Sequence, residues 1–123
     1  MRYFYYSLLL LAQEKGNLES EDYKKALFEM LRLSRQEGIN KFMNEDDLEA
    51  IISPSGGSAS KTDFTNGDNF SIQSSSPTAI AGYPSINVLM EQIDGLPVDI
   101  FIFDRAWSES VLLEIAYNYE RGS

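Results

Sequence analysis

The chain has 123 residues, 43% of them hydrophobic, and carries 10 Lys and Arg against 19 Asp and Glu, a formal charge of −9. So acidic a body repels a phosphate backbone or an anionic bilayer, and neither nucleic acid nor a membrane is expected as a partner. Cys and His are absent, which removes disulfides, thiol nucleophiles, imidazole bases and the usual zinc ligands and leaves only Ser, Lys, Tyr or carboxylate chemistry.

Arg2 precedes an apolar run from Tyr3 to Ala12, broken by Ser7. It has the length of a signal-peptide core, but Gln13-Glu14-Lys15-Gly16 offers no small-residue cleavage site and the run is too short to span a bilayer. A buried helix ending at Gly16 is expected instead, in a cytoplasmic protein. Ser20 is placed to cap a second helix, with Glu21 and Asp22 in its first turn and Tyr23, Ala26, Leu27, Met30 and Leu31 along one face. Gly38 should end it. A shorter helix carries Phe42 and Met43, and Leu48 to Ser53 reads as a brief buried strand stopped by Pro54.

From Ser55 to Ser76 the composition turns to Gly, Ser, Asn, Thr and Asp, a loop long enough to suggest function or disorder. Ser76-Pro77 then opens a short helix, Ser as its cap and Pro at the first helical position, closed by Gly82 and Pro84. Strands Ile86 to Met90 and Val98 to Phe103 follow, with Asp94-Gly95 in the turn between them. Ser108 should cap a last helix whose apolar face is Val111, Leu112, Ile115, Ala116 and Tyr119. The class is α/β, read as one domain: helical over 1–46, then over 47–123 a small mixed sheet of about three strands with the loop 55–76 and flanking helices.

Three constellations could carry chemistry. Ser55-Gly56-Gly57-Ser58-Ala59-Ser60-Lys61 sets serines near a lysine, but a nucleophile needs a fixed turn against a buried base, and this composition reads as a loop with a surface lysine. Its spacing is not that of a phosphate-binding loop. Asn66-Gly67-Asp68-Asn69 lacks the ligand ladder of a calcium loop and reads as a tight turn. Glu45, Asp46, Asp47 and Glu49 read as solvated surface rather than a converging carboxylate pair. No metal site and no cofactor are expected.

Several blocks together point further. Arg32-Leu33-Ser34-Arg35-Gln36-Glu37-Gly38-Ile39, the strand region Asp47 to Pro54, the Asn66-Gly67-Asp68-Asn69-Phe70 and Ser74-Ser75-Ser76-Pro77 run into Ala81-Gly82-Tyr83-Pro84, and Gly95-Leu96-Pro97-Val98 ahead of Arg105, Trp107 and Glu109 resemble, in order and spacing, the C-terminal region of the amidase signature family. The resemblance implies an amide hydrolase fold whose Ser–cis-Ser–Lys triad lies upstream of anything present here. No catalytic residue therefore maps onto this chain. It also implies that the loop from Asn66 to Ser76 borders the substrate cavity, with Asn66, Asp68, Asn69 and Ser75 as expected contacts. The chain departs from the family pattern at Leu89, Asp99 and Asp104, where the pattern has Pro, Gly and Gly, and altered packing is expected there.

Two readings follow. In one, the chain is the C-terminal portion of an amidase, inactive alone, that meets a small amide substrate only within a complete enzyme; Met1 inside a helical pattern points to truncation. In the other, it is a binding or interaction module that kept the fold without the chemistry. Either way an exposed sheet edge and apolar helix faces should seek the missing N-terminal part or a second copy.

Overall fold

The computed structural model describes residues 6–67 and 72–122. Among the described residues five α-helices and three strands follow in the order α1 (Ser7–Glu14), α2 (Glu21–Leu31), a wider π-type stretch (Arg32–Ile39), α3 (Asn40–Glu45), β1 (Ile51–Pro54), α4 (Ser76–Ala81), β2 (Ser85–Ile93), β3 (Leu96–Phe103) and α5 (Glu109–Gly122).

The sheet has the order β1-β3-β2. Both pairings are antiparallel, so it is antiparallel throughout rather than mixed. The cause is local on one side: Asp94 (φ 53°) and Gly95 (φ 78°) make a two-residue turn with both central residues in the left-handed region, which folds β3 straight back along β2. Pro97 enters the ladder opposite Gln92, and β2 is longer than expected because the pairing resumes beyond a bulge between Leu89 and Glu91.

β3 sits in the middle and buries both faces. Phe101 and Phe103 point one way, onto Ile39, Met43 and Ala81, with Leu48, Ile51 and Tyr83 at the margin. Ile102 points the other way, onto Val88, Leu112 and Ala116, with Ile86, Ile100, Ile115 and Tyr119 around it. Strand alternation produces this split, and a strand buried on both faces reads as the continuous apolar run Ile100-Phe101-Ile102-Phe103. Met43 and Ile102 are completely enclosed, each worth roughly 1.5–3 kcal/mol of transfer free energy.

The first 54 residues differ from expectation in three places. The helix ending at Gly16 (φ 88°) is present, but α1 buries nothing: Leu8, Leu9, Leu10 and Leu11 are 80, 65, 60 and 53% exposed. An apolar stripe buries only where another element reaches it, and among the described residues none packs on α1 to any extent. Gly38 is a kink rather than an end. Its φ/ψ of −103°/−110° breaks the helical path, which resumes in α3, and a Cβ there would stand 2.7 Å from the Leu33 carbonyl oxygen. Finally, β1 begins at Ile51 rather than Leu48 and runs to Pro54, half-buried as an edge strand.

The helix termini largely follow the residues. Ser20 Oγ accepts from Tyr23 N–H at 3.3 Å, as a capping serine should. α4 starts one residue earlier than expected, with Ser75 in the capping position, no side-chain cap bond, and Gly82 (φ 65°) closing it. Ser108 contributes its carbonyl to Leu112 N–H, while its hydroxyl donates to Arg105 O at 2.7 Å instead of capping.

Candidate substrate cleft

A cleft of about 470 Å³ opens on the Phe101 face of the sheet. Its floor is Phe101 of β3 and Asn87 of β2, which the register sets directly opposite each other. Ser55 to Ser60 form one wall; Ile72, Gln73 and Ser75 form the other.

Backbone pairing holds the walls. Gly56 and Gln73 form an isolated antiparallel bridge, Ser55 N–H donates to Asp99 O at 2.9 Å, Ser74 N–H donates to Ser55 O at 3.4 Å, and the Ser74 hydroxyl donates to Pro54 O. The loop that leaves β1 is thus stitched to the segment that enters α4. Ser75 is fixed through its carbonyl, which accepts from Ala79 N–H and from Thr78 Oγ1, both at 3.0 Å.

Of the expected contacts, Ser75 lines the cleft. Asn66 does not: its backbone N–H and its side-chain amide donate to Asp63 Oδ1 (3.0 Å) and Oδ2 (2.8 Å), closing a turn with Thr65 N–H also on Oδ1 at 2.8 Å. That turn holds the Asp63 carboxyl below its ordinary range, chiefly through the Asn66 N–H. Gly67 follows at φ 82°, as the tight-turn reading requires. Asp68 and Asn69 lie outside the described residues. Sequence reasoning misses Asn87, Gln73 and Phe101, because only the strand register and the Gly56–Gln73 bridge show that they share a face.

The nucleophile ingredients do not converge. Ser58 and Ser60 line the cleft, whereas Lys61 does not, and among the described residues no hydrogen bond joins them. The acidic stretch is exposed: Glu45 meets Lys41 at 3.8 Å, and Asp47 adopts φ 51° in a turn. Among the described residues no group of acidic side chains could hold a metal ion, and no helix is long and apolar enough to cross a membrane.

The departures from the family pattern are absorbed without glycine-like backbone, since neither Asp99 nor Asp104 has positive φ. Asp104 is buried, its Oδ1 accepting from Arg105 N–H at 2.6 Å. Arg105 in turn spans to the end of the helical half, donating to Asn44 Oδ1 at 2.7 Å and Leu48 O at 3.2 Å. Arg35 makes a similar tie, donating to Ala81 O at 2.6 Å with its guanidinium 5.4 Å from the Tyr83 ring centre.

No protein-family model matches the chain. Individual proteins do. The A subunit of the glutamyl-tRNA(Gln) amidotransferase of Clostridium botulinum (strain Kyoto / Type A2) is 36% identical over 104 residues, covering 80% of this chain and 21% of that protein. The native peptide amidase of Stenotrophomonas maltophilia superposes with a TM-score of 0.86 at 38% identity, over 97% of this chain and 24% of its own. The crystal structure of PAM12A gives 0.88 at 40% identity, over 96% and 24%. The chain spans about a fifth of the length of the curated relatives it matches. On these identities and superpositions, the chain belongs to the amidase signature family, as that family's C-terminal region.

Proposed function

We propose that this chain supplies one wall of the substrate site of an amide hydrolase and none of its bond-breaking groups. What carries the reading is the stitched cleft over Asn87 and Phe101, in a chain superposable on a quarter of a peptide amidase. Hydroxyls and carboxamides from Ser55, Gln73, Ser75 and Asn87 offer donors and acceptors to an amide, and Phe101 and Ile72 offer an apolar seat. Asp68 and Asn69, next to this wall in sequence, are proposed as further contacts on the strength of the family resemblance, while the Asn66 amide closes a turn on Asp63. The relatives are a peptide amidase and one subunit of an amidotransferase, so the substrate class is a small amide met within a complete enzyme. The chain is read as a single unit, working in the cytoplasm without nucleic acid.

Alone it should be inactive, because the implied triad maps onto none of its residues. A fluorophosphonate probe should leave it unlabelled; clear labelling of Ser58 or Ser60 would sink that reading. Co-expressed with the complementary portion of the Stenotrophomonas maltophilia peptide amidase, it should restore amide hydrolysis. Binding with no restored hydrolysis would favour the alternative of a non-catalytic interaction module, which the exposed leucines of α1 support.

A further inference from the structure

β3 hands over to α5 through the turn 105–108, closed by the Ser108 hydroxyl donating to the Arg105 carbonyl at 2.7 Å. The third residue of that turn is Trp107, with φ 67°. A positive φ at this place suits Gly or Asn, and for a bulky side chain it is a rare, strained conformation. Strain of this kind persists where a contact of the side chain repays it. Among the described residues there is no such contact: Trp107, the chain's only tryptophan, is 91% exposed. It lines a cavity of about 390 Å³ together with Arg35 and Tyr83. Those two are held from behind, since Arg35 Nε donates to Ala81 O at 2.6 Å, the guanidinium lies 5.4 Å from the Tyr83 ring centre, and the Tyr83 hydroxyl donates to Asn40 Oδ1 at 2.8 Å. The Nη atoms of Arg35 make no hydrogen bond among the described residues. A Trp, a Tyr and an Arg around one concavity are the residue types that carry most of the binding energy at protein–protein contacts.

The page also says what covers it. A second copy carries the same charge of −9 and is repelled. PAM12A and the peptide amidase superpose on 96% and 97% of this chain, while this chain matches only 24% of either, so three quarters of each of those folds is polypeptide that this chain does not reproduce. α1 asks for an occupant of that size. Its four successive leucines cover about 300° of the helix circumference, and a helix apolar nearly all round is enclosed by a larger body rather than laid along one matching face.

We propose that Trp107, with Arg35 and Tyr83 behind it, anchors this chain against the three quarters of an amidase fold that it does not itself reproduce. The proposal rests on the reading of the chain as one part of such an enzyme. The test is co-expression of the tagged full chain with the complementary portion of the Stenotrophomonas maltophilia peptide amidase, with co-purification as the readout. The parent should capture that portion, Trp107→Phe should keep most of the capture, and Trp107→Asn should lower it at least about tenfold. In the isolated chain Trp107→Asn should leave the urea midpoint unchanged or raised, because Asn tolerates a positive φ and an exposed indole gives up no packing. A lowered midpoint would mean that the indole serves this chain's own stability, and would overturn the proposal. So would a parent that captures nothing, a Trp107→Asn variant that captures as much as the parent, or a blue shift of the lone tryptophan's emission as the isolated chain is concentrated, which would put a second copy on it. Hydrolysis is measured separately: capture without amide hydrolysis supports the docking and counts only against the cleft as a substrate site.

Discussion

β3 and α1 are both rich in large aliphatic and aromatic residues, yet β3 buries Phe101, Ile102 and Phe103 while α1 leaves four consecutive leucines in solvent. The difference is not in the residues but in what the rest of the chain brings to them. β3 has a strand on each side, α3 and α4 below and α5 above; among the described residues no element packs on α1 to any extent. Apolar content therefore reports where burial is needed, and topology decides whether this chain supplies it.

Four experiments break or sharpen that contrast. Ile102→Ala removes the strand's fully enclosed side chain and should cost about 2–5 kcal/mol in denaturant unfolding. Gly38→Ala should cost about 1–3 kcal/mol, since a Cβ 2.7 Å from the Leu33 carbonyl forces the kink to shift; an unchanged midpoint would mean that the kink is soft. Leu9→Glu in α1 should alter stability by no more than about 0.5 kcal/mol, while reducing any self-association seen by light scattering. A strictly monomeric parent chain at tens of micromolar would show instead that the exposed leucines do not seek a second copy. The smallest effect concerns Asp63, whose folded pKa is depressed by the Asn66 and Thr65 amides. A depressed carboxylate contributes stability above its unfolded pKa and loses it as pH falls through the folded value, so the Asn66 amide resonance should move toward its random-coil position as pH drops below the usual Asp range. Global stability should barely register it, the group being fully exposed.

Much of the framework was legible because its signals are local. Ser20 before Glu21-Asp22, Pro77 in the first turn of α4, Gly82 after it, Asp94-Gly95 between alternating strands, and the face Leu112, Ile115, Ala116 and Tyr119 each follow from steric or capping rules within a few residues. The failures are non-local. Nothing near Leu8 says that no element will cover it, and nothing near Gly38 says that a helix resumes at Asn40. The cleft divides the same way: Ser75, named by the family pattern, lies in its lining, whereas Asn87 and Phe101 become neighbours only when β2 and β3 pair in one register. Asn66 lies off the cleft lining, its amide donating to Asp63 three residues upstream.

The antiparallel order β1-β3-β2 also sets a sequence of events in time. The β2–β3 hairpin closes through a two-residue turn, and α5 follows immediately, so both form from contacts near in the chain; β1 must return across the whole segment between Pro54 and Ile100 before its ladder repays the closure entropy. The bridge between Gly56 and Gln73 closes a shorter stretch of chain but is isolated, with no ladder beyond it. The cleft wall rests on that bridge and single backbone bonds, whereas β3 is laddered on both sides, so hydrogen exchange at Ser55 and Ser74 should run ahead of exchange at Phe101 and Ile102.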